Sequence, residues 1–141
     1  MSAPTYPQTA DQSLDIKSIL LLDDDCDLAD ALKELLESRN FVVRTVTDGA
    51  EGLREVMDLD FDVIICDLLM PCMPGDMFYL AVSKTKPELK DRFIFITGHS
   101  EKPRVDEFLK RIDAMVLFKP VLLDELLSMI QLVLKRTSDA R

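Results

Sequence analysis

Three consecutive carboxylates, Asp23, Asp24 and Asp25, follow directly on the apolar run Ile19–Leu22. Two carboxylates about 4 Å apart repel by roughly 4 kcal/mol at an effective dielectric near 20. A chain that closes a buried run this way needs compensating charge nearby, or must splay the side chains into water. Three more polar groups stand at comparable points: Asp67 closes "VIIC", Thr97 closes "FIFI", and Lys119 follows "MVLF". Carboxylates grouped with an ammonium and a hydroxyl suggest a hard-cation site, because Mg2+ takes oxygen ligands, keeps several waters and needs only one or two carboxylates beside a phosphate. A carboxylate is also a nucleophile toward phosphorus, giving an aspartyl phosphate. Phosphoryl transfer then requires positive charge around the equatorial oxygens, which Mg2+ and a lysine ammonium supply. A threonine hydroxyl close by can hydrogen-bond a phosphoryl oxygen.

These groups act together only if the fold gathers them. Short continuous apolar runs mark strands buried on both faces, and "SILLLD", "FVVRTV", "DVIICD", "RFIFIT" and "AMVLF" are five such segments. Helical patterns lie between them. "DLADALKELLESRN" carries an apolar stripe at Leu28, Ala31, Leu32, Leu35 and Leu36, with Asp25 or Asp27 as N-cap and Asn40 as stop. "DGAEGLREVMDL" is opened by Asp48, "DMFYLAVSKT" follows the loop "LLMPCMPG", and "SEKPRVDEFLKRI" has Ser100 as cap and Pro103 near its first turn. "VLLDELLSMIQLVLKR" is the fifth helix. Strands and helices in alternation mean an α/β parallel sheet covered on both faces. In such sheets the site lies beyond the carboxyl ends of the strands, near a topological switch point. That rule brings Asp23, Asp24, Asp67, Thr97 and Lys119 to one rim; only the second strand, ending in Thr45 and Val46, adds nothing chemical. Each group alone is more commonly a helix cap or a surface charge; it is their gathering on one rim that points to chemistry.

Composition narrows the class. The 141 residues suit one domain with a single core. Seventeen Lys and Arg against 26 Asp and Glu give a net charge of −9, which argues against nucleic acid or an anionic membrane as partner. No apolar run approaches the ~18 residues of a membrane span. The start "MSAPTYPQTADQS" lacks the pattern of a signal peptide, so a cytoplasmic location is expected. Cys26, Cys66 and Cys72 include no C-x-x-C pair, and Cys66, inside an apolar run, reads as a small hydrophobe.

The chain resembles a receiver domain of the two-component response regulator family over residues 17–136, between a polar tail at 1–16 and a short tail at 137–141. The resemblance rests on the acidic pair in "LLLDDD", on "CDLLMPCMPG", on "FIFITG" and on "FKP". The spacings of 43 residues from Asp24 to Asp67, 30 to Thr97 and 22 to Lys119 also match. It implies a doubly wound, flavodoxin-like sheet of order 2-1-3-4-5 with five helices. It further implies that Asp67 accepts a phosphoryl group from a histidine kinase or phosphotransfer protein. Asp24, Asp67 and the backbone carbonyl of Leu69 would bind Mg2+, with Asp23 acting through a metal-bound water. Thr97 would reach for the phosphoryl group, Lys119 would pair with it, and Pro120 would take a cis peptide bond. A phosphorylated state would alter binding to a downstream protein. Asp25 is assigned to the helix cap.

Two departures from the family pattern stand out. The position three before the lysine, often aromatic, is Val116, so the usual aromatic switch is in doubt; Phe118 nearby is expected to fill core. At the positions that tune phosphoryl lifetime stand Leu69, which cannot orient an attacking water, and His99, which also reads as a plain loop residue. In the last helix the apolar residues from Leu122 to Leu134 spread over roughly 220° at 3.6 residues per turn. That is wider than one sheet face needs, and offers either a homodimer contact or a broad core face. No output domain follows Arg136, so the chain reads as a receiver acting through partners, or as a piece of a hybrid kinase. Two rivals remain. "LLLDDDCD" also fits the start of a haloacid-dehalogenase-type phosphatase with Asp23 as nucleophile and Asp25 as acid/base, though that leaves Asp67 unexplained. The other is a pseudo-receiver that binds partners without phosphorylation.

Overall fold

A computed structural model describes residues 16–98 and 103–139 of the chain. The tail assigned to 1–16 falls outside the described residues except for Ile16, as do His99 and the expected cap Ser100. Five strands form one parallel sheet: β1 Ser18–Leu22, β2 Val42–Val46, β3 Val63–Asp67, β4 Phe93–Thr97 and β5 Met115–Phe118. Their order is β2-β1-β3-β4-β5, so the doubly wound, flavodoxin-like sheet is borne out. Five α-helices connect or follow the strands: α1 Cys26–Glu37, α2 Gly49–Asp58, α3 Gly75–Thr85, α4 Pro103–Ile112 and α5 Leu123–Asp139.

Strand residues alternate between faces, which explains why the runs are apolar throughout. Ile19, Leu21, Ile65, Ile94 and Ile96 pack against Ala29, Leu32 and Leu36 of α1 and Leu126, Ile130 and Val133 of α5. Leu20, Leu22, Ile64, Cys66 and Phe95 face the other way, onto Val56 of α2, Phe78 and Val82 of α3, and Val105 and Phe108 of α4. On that side Tyr79 stands edge-on to Phe93, Phe95 and Phe108 with centroids 4.9, 5.8 and 5.5 Å away, the geometry aromatic quadrupoles favour.

The helix ends follow from local chemistry. Asp25 Oδ1 accepts from the Leu28 N–H at 3.1 Å and Asp48 Oδ1 from Glu51 N–H at 2.9 Å, so each carboxylate satisfies a donor that the first turn leaves unpaired. Past α1, Asn40 takes φ of 70°, a left-handed conformation that asparagine tolerates and that stops the helix.

Three details differ from expectation. Residues Pro87–Arg92, read only as a connection, form a 3-10 turn whose Leu89 is buried. The last helix continues to Asp139 rather than ending at 136, with Thr137 buried and its hydroxyl donating to the Val133 carbonyl at 2.9 Å. Phe118 does not fill core: it is 55% exposed. Alternation puts it on the face opposite Leu117, but it is the last residue of the edge strand, out on the carboxyl rim. The wide apolar arc of α5 is mostly core face, since Leu127, Met129 and Leu134 are half-buried against the cluster. Only Leu122 and Leu132, 58% and 55% exposed, remain outward among the described apolar residues of this segment.

Candidate functional site

The chain passes from β1 outward to β2, then returns to place β3 on the other side of β1. The crevice at the carboxyl ends of β1 and β3 is therefore the switch point. Leu22 aligns with Cys66, so Asp23 and Asp67, the next residues along, leave their strands at the same level. Asp23 N–H donates to the Val46 carbonyl at 3.1 Å, which turns its carboxylate into the crevice. Asp23 Oδ1 accepts from Asp25 N–H at 2.9 Å, and Asp67 Oδ1 from Leu69 N–H at 3.0 Å. Both aspartates are buried, while Asp24 is exposed. One carboxylate oxygen from each of Asp23, Asp24 and Asp67 lies within 4.8 Å of the others.

Lys119 supplies the compensating charge. Its N–H donates to the Thr97 carbonyl at 2.8 Å, which carries the β4–β5 pairing one residue past the strand, and its peptide bond to Pro120 is cis, as foreseen. The ammonium donates to Asp67 Oδ2 at 3.0 Å and stands 3.7 Å from Asp23 Oδ2. Thr97 is buried on the same rim, but its hydroxyl donates to the Gly98 carbonyl at 2.9 Å. Leu69 presents an exposed side chain beside the acceptor. Gly75 explains why the loop lies so close: a Cβ there would meet the Asp67 carbonyl oxygen at 2.4 Å. Only glycine admits this approach.

Electrostatics in the crevice are unbalanced. Burial pushes Asp23 from 3.8 up to about 6; the Asp25 N–H opposes this, the Asp67 charge reinforces it, and Lys119 pulls it back. Desolvation lowers the Lys119 pKa, but its hydrogen bond to Asp67 and the charges of Asp67, Asp23 and Asp25 outweigh that and leave it raised. Among the described residues one ammonium thus faces three carboxylates, and the buried Asp23 Oδ2 has no hydrogen-bond partner. A buried charged oxygen without a donor is expensive. Oxygen ligands around an orphaned carboxylate oxygen are what a hard divalent cation requires, so the residues fit Mg2+. Burial, then the nearby Asp67, Asp23 and Asp76 charges, drive the Cys66 thiol well above its ordinary range; it is a core residue, whereas Cys26 and Cys72 are exposed.

One pair escaped the sequence reading. Asp76, in the first turn of α3, is buried and ion-paired with Arg104 at the start of α4, and its Oδ1 has no hydrogen-bond partner among the described residues. An acid in a first turn is an ordinary helix-dipole feature, and nothing in the sequence marks this one as buried.

A doubly wound sheet whose switch point holds a cation-ready acidic crevice beside the Lys119 ammonium defines a narrow class of α/β domains. The response regulator receiver domain model matches residues 19–131. The response regulator receiver protein CpdR of Brucella abortus is 30% identical over 119 residues, covering 84% of this chain and 98% of that protein. The tetrathionate response regulatory protein TtrR of Salmonella typhimurium is 34% identical over 104 residues, 74% of this chain and 50% of that protein. A receiver domain crystal structure from Methanospirillum hungatei superposes with a TM-score of 0.81 at 27% identity, covering 89% of this chain and 99% of that one. The chain belongs to the response regulator receiver domain family, and is a receiver domain of two-component signalling. It spans half or less of the length of several curated relatives, 50% for TtrR and 13% for the sensor kinase CckA of Brucella abortus. The phosphatase alternative is not favoured: Asp25, its required acid/base, is engaged in capping α1. The pseudo-receiver alternative is not favoured either.

Proposed function

We propose that Asp67 is the phosphoacceptor. Its carboxylate oxygen attacks phosphorus, a P–O bond forms, and the P–N bond to a donor histidine breaks, with the electron pair leaving on the imidazole nitrogen. The donor is a histidine kinase or phosphotransfer protein. Asp24, Asp67 and the Leu69 carbonyl would hold Mg2+, and Asp23 would contribute through a metal-bound water. When bound, that ion supplies charge stabilisation to the phosphoryl oxygens. Lys119 moves its hydrogen bond from the Asp67 carboxylate to an incoming phosphoryl oxygen. Thr97 gives up its bond to the Gly98 carbonyl and donates to the same group, which shifts the start of the β4–α4 connection. Val116, half-buried against the core, offers no ring to follow that movement, so Thr97 carries it alone. The exposed Leu69 cannot hold an attacking water, and the phosphoryl group is lost slowly.

The observation that carries this reading is the pairing of a buried, ammonium-bound Asp67 with the orphaned Asp23 Oδ2 in the same crevice. The receiver unit is taken as residues 17–136, with α5 continuing beyond it. It acts through a downstream protein in the cytoplasm, turns over no substrate of its own, and binds neither nucleic acid nor membrane. Among the described residues, no helix is long and apolar enough to cross a bilayer. Among the described residues, a homodimer through α5 would rest on Leu132 and on Leu122 just before the helix. Borohydride reduction after incubation with phosphoramidate and Mg2+ converts an aspartyl phosphate to homoserine. Peptide mass spectrometry should find it at position 67; homoserine at position 23 instead would overturn the assignment.

A further inference from the structure

On the α2–α3 side of the sheet, next to the loop that follows Asp67, lies an open groove of about 550 Å3 lined by Ala50, Leu53, Arg54, Met57, Asp58 and Met73. Met57 is 55% exposed, Leu53 and Met73 are half-buried, and Met73 packs so closely on α2 that a Cβ on Gly49 would sit 2.8 Å from its Cγ. Unbranched, polarizable methionines are well suited to mould to another surface. The charges around the groove specify which surface. Of the acids in α2, Glu51 accepts from the Thr47 hydroxyl at 2.6 Å and Glu55 is ion-paired with Arg44. Arg54 and Asp58 form no ion pair among the described residues and are exposed on the outer face of α2. They are one helical turn apart, with opposite signs, and flank Met57.

We propose that this groove is the contact for a second copy of the chain, with the two α2 helices packed antiparallel about a two-fold axis. Four residues rise about 6 Å along a helix. An antiparallel partner centred between them sets Arg54 of each copy against Asp58 of the other and brings the two Met57 side chains together. The face is thus self-complementary in charge and apolar at its centre, the requirement for an isologous interface. The outward charges of Arg54 and Asp58 cancel, so this face adds no like charge of its own to the repulsion between two molecules of net charge −9. The interface is distinct from α5.

Sedimentation velocity of the full chain tests it across about 5 to 500 μM, where a small interface self-associates. The wild type should show a concentration-dependent dimer, and Met57→Glu should abolish it. Because of the two-fold axis, Arg54→Asp or Asp58→Arg alone puts like charges in both pairs and should weaken association at least about tenfold. Mixing those two variants in equal amounts recreates both opposite-charge pairs and should restore a dimer near wild-type strength, as should the double variant R54D/D58R by itself. Leu132→Glu on α5 should change nothing. A wild type that stays monomeric throughout overturns the proposal. So does a dimer that survives Met57→Glu, or a mixture no more associated than its parts. Circular dichroism of each variant establishes that the chain is folded.

Discussion

Asp23 stands in the crevice at the expense of stability, and removing its charge should show by how much. Its carboxyl is raised from 3.8 to about 6, equivalent to on the order of 3 kcal/mol between its charged and neutral forms. A carboxyl raised on folding binds more protons in the folded chain than in the unfolded one between those two values. Metal-free stability therefore falls as pH rises from about 4 to 6 and stays low above that. Asp23→Asn removes the charge and retains an oxygen for the Asp25 N–H, but gives up the attraction to Lys119 at 3.7 Å. Setting that loss against the relieved burial leaves a net gain of about 1–2 kcal/mol at pH 7.5. For a domain of this size that is a rise in Tm of roughly 4–8 °C. The gain should vanish near pH 4. Urea unfolding of both proteins in EDTA, from pH 4 to pH 8, measures it. A variant less stable than wild type at pH 7.5, or a difference that does not change with pH, would refute the reasoning.

Other substitutions separate structure from chemistry. Lys119→Met should slow phosphorylation by acetyl phosphate roughly 100-fold, since it removes the ammonium that donates to the acceptor, as read by initial rates. Asp25→Ala should cost about 1 kcal/mol of stability through its lost cap and leave phosphorylation intact; loss of phosphorylation would revive the phosphatase reading. Gly75→Ala forces a Cβ against the Asp67 carbonyl and should destabilise by about 1–3 kcal/mol in urea. A thiol reagent should modify Cys26 and Cys72 in the native protein and reach Cys66 only on unfolding, because Cys66 is buried and its thiolate is disfavoured.

The sheet was legible because a strand buried on both faces must be apolar throughout, and five such runs alternate with helical stripes. The acidic crevice was legible for a related reason: in a parallel sheet, whatever follows a strand's last apolar residue arrives at the same rim, so the order of residues alone brings Asp23, Asp67, Thr97 and Lys119 together. What stayed hidden depends on distances between elements remote in sequence. Alternation assigned Phe118 to a face, but not how far that face is covered at the sheet edge. The Asp76–Arg104 pair joins the first turns of two helices 28 residues apart, and no local pattern signals it. The direction of the Thr97 hydroxyl and the missing donor at Asp23 Oδ2 are likewise matters of packing. The excess apolar arc of α5 could not be divided between core and surface until its neighbours were known, and most of it is core.

On the proposed function, Asp67 takes up a phosphoryl group with the help of a cation held by this crevice. Intact-protein mass spectrometry after incubation with acetyl phosphate, in Mg2+ or in EDTA, tests it on the wild type and on Asp67→Asn. A single phosphoryl adduct on the wild type, dependent on Mg2+ and missing from the variant, is the predicted result. An adduct that persists in Asp67→Asn would move the nucleophile elsewhere in the crevice and contradict the account, as would equal phosphorylation in EDTA.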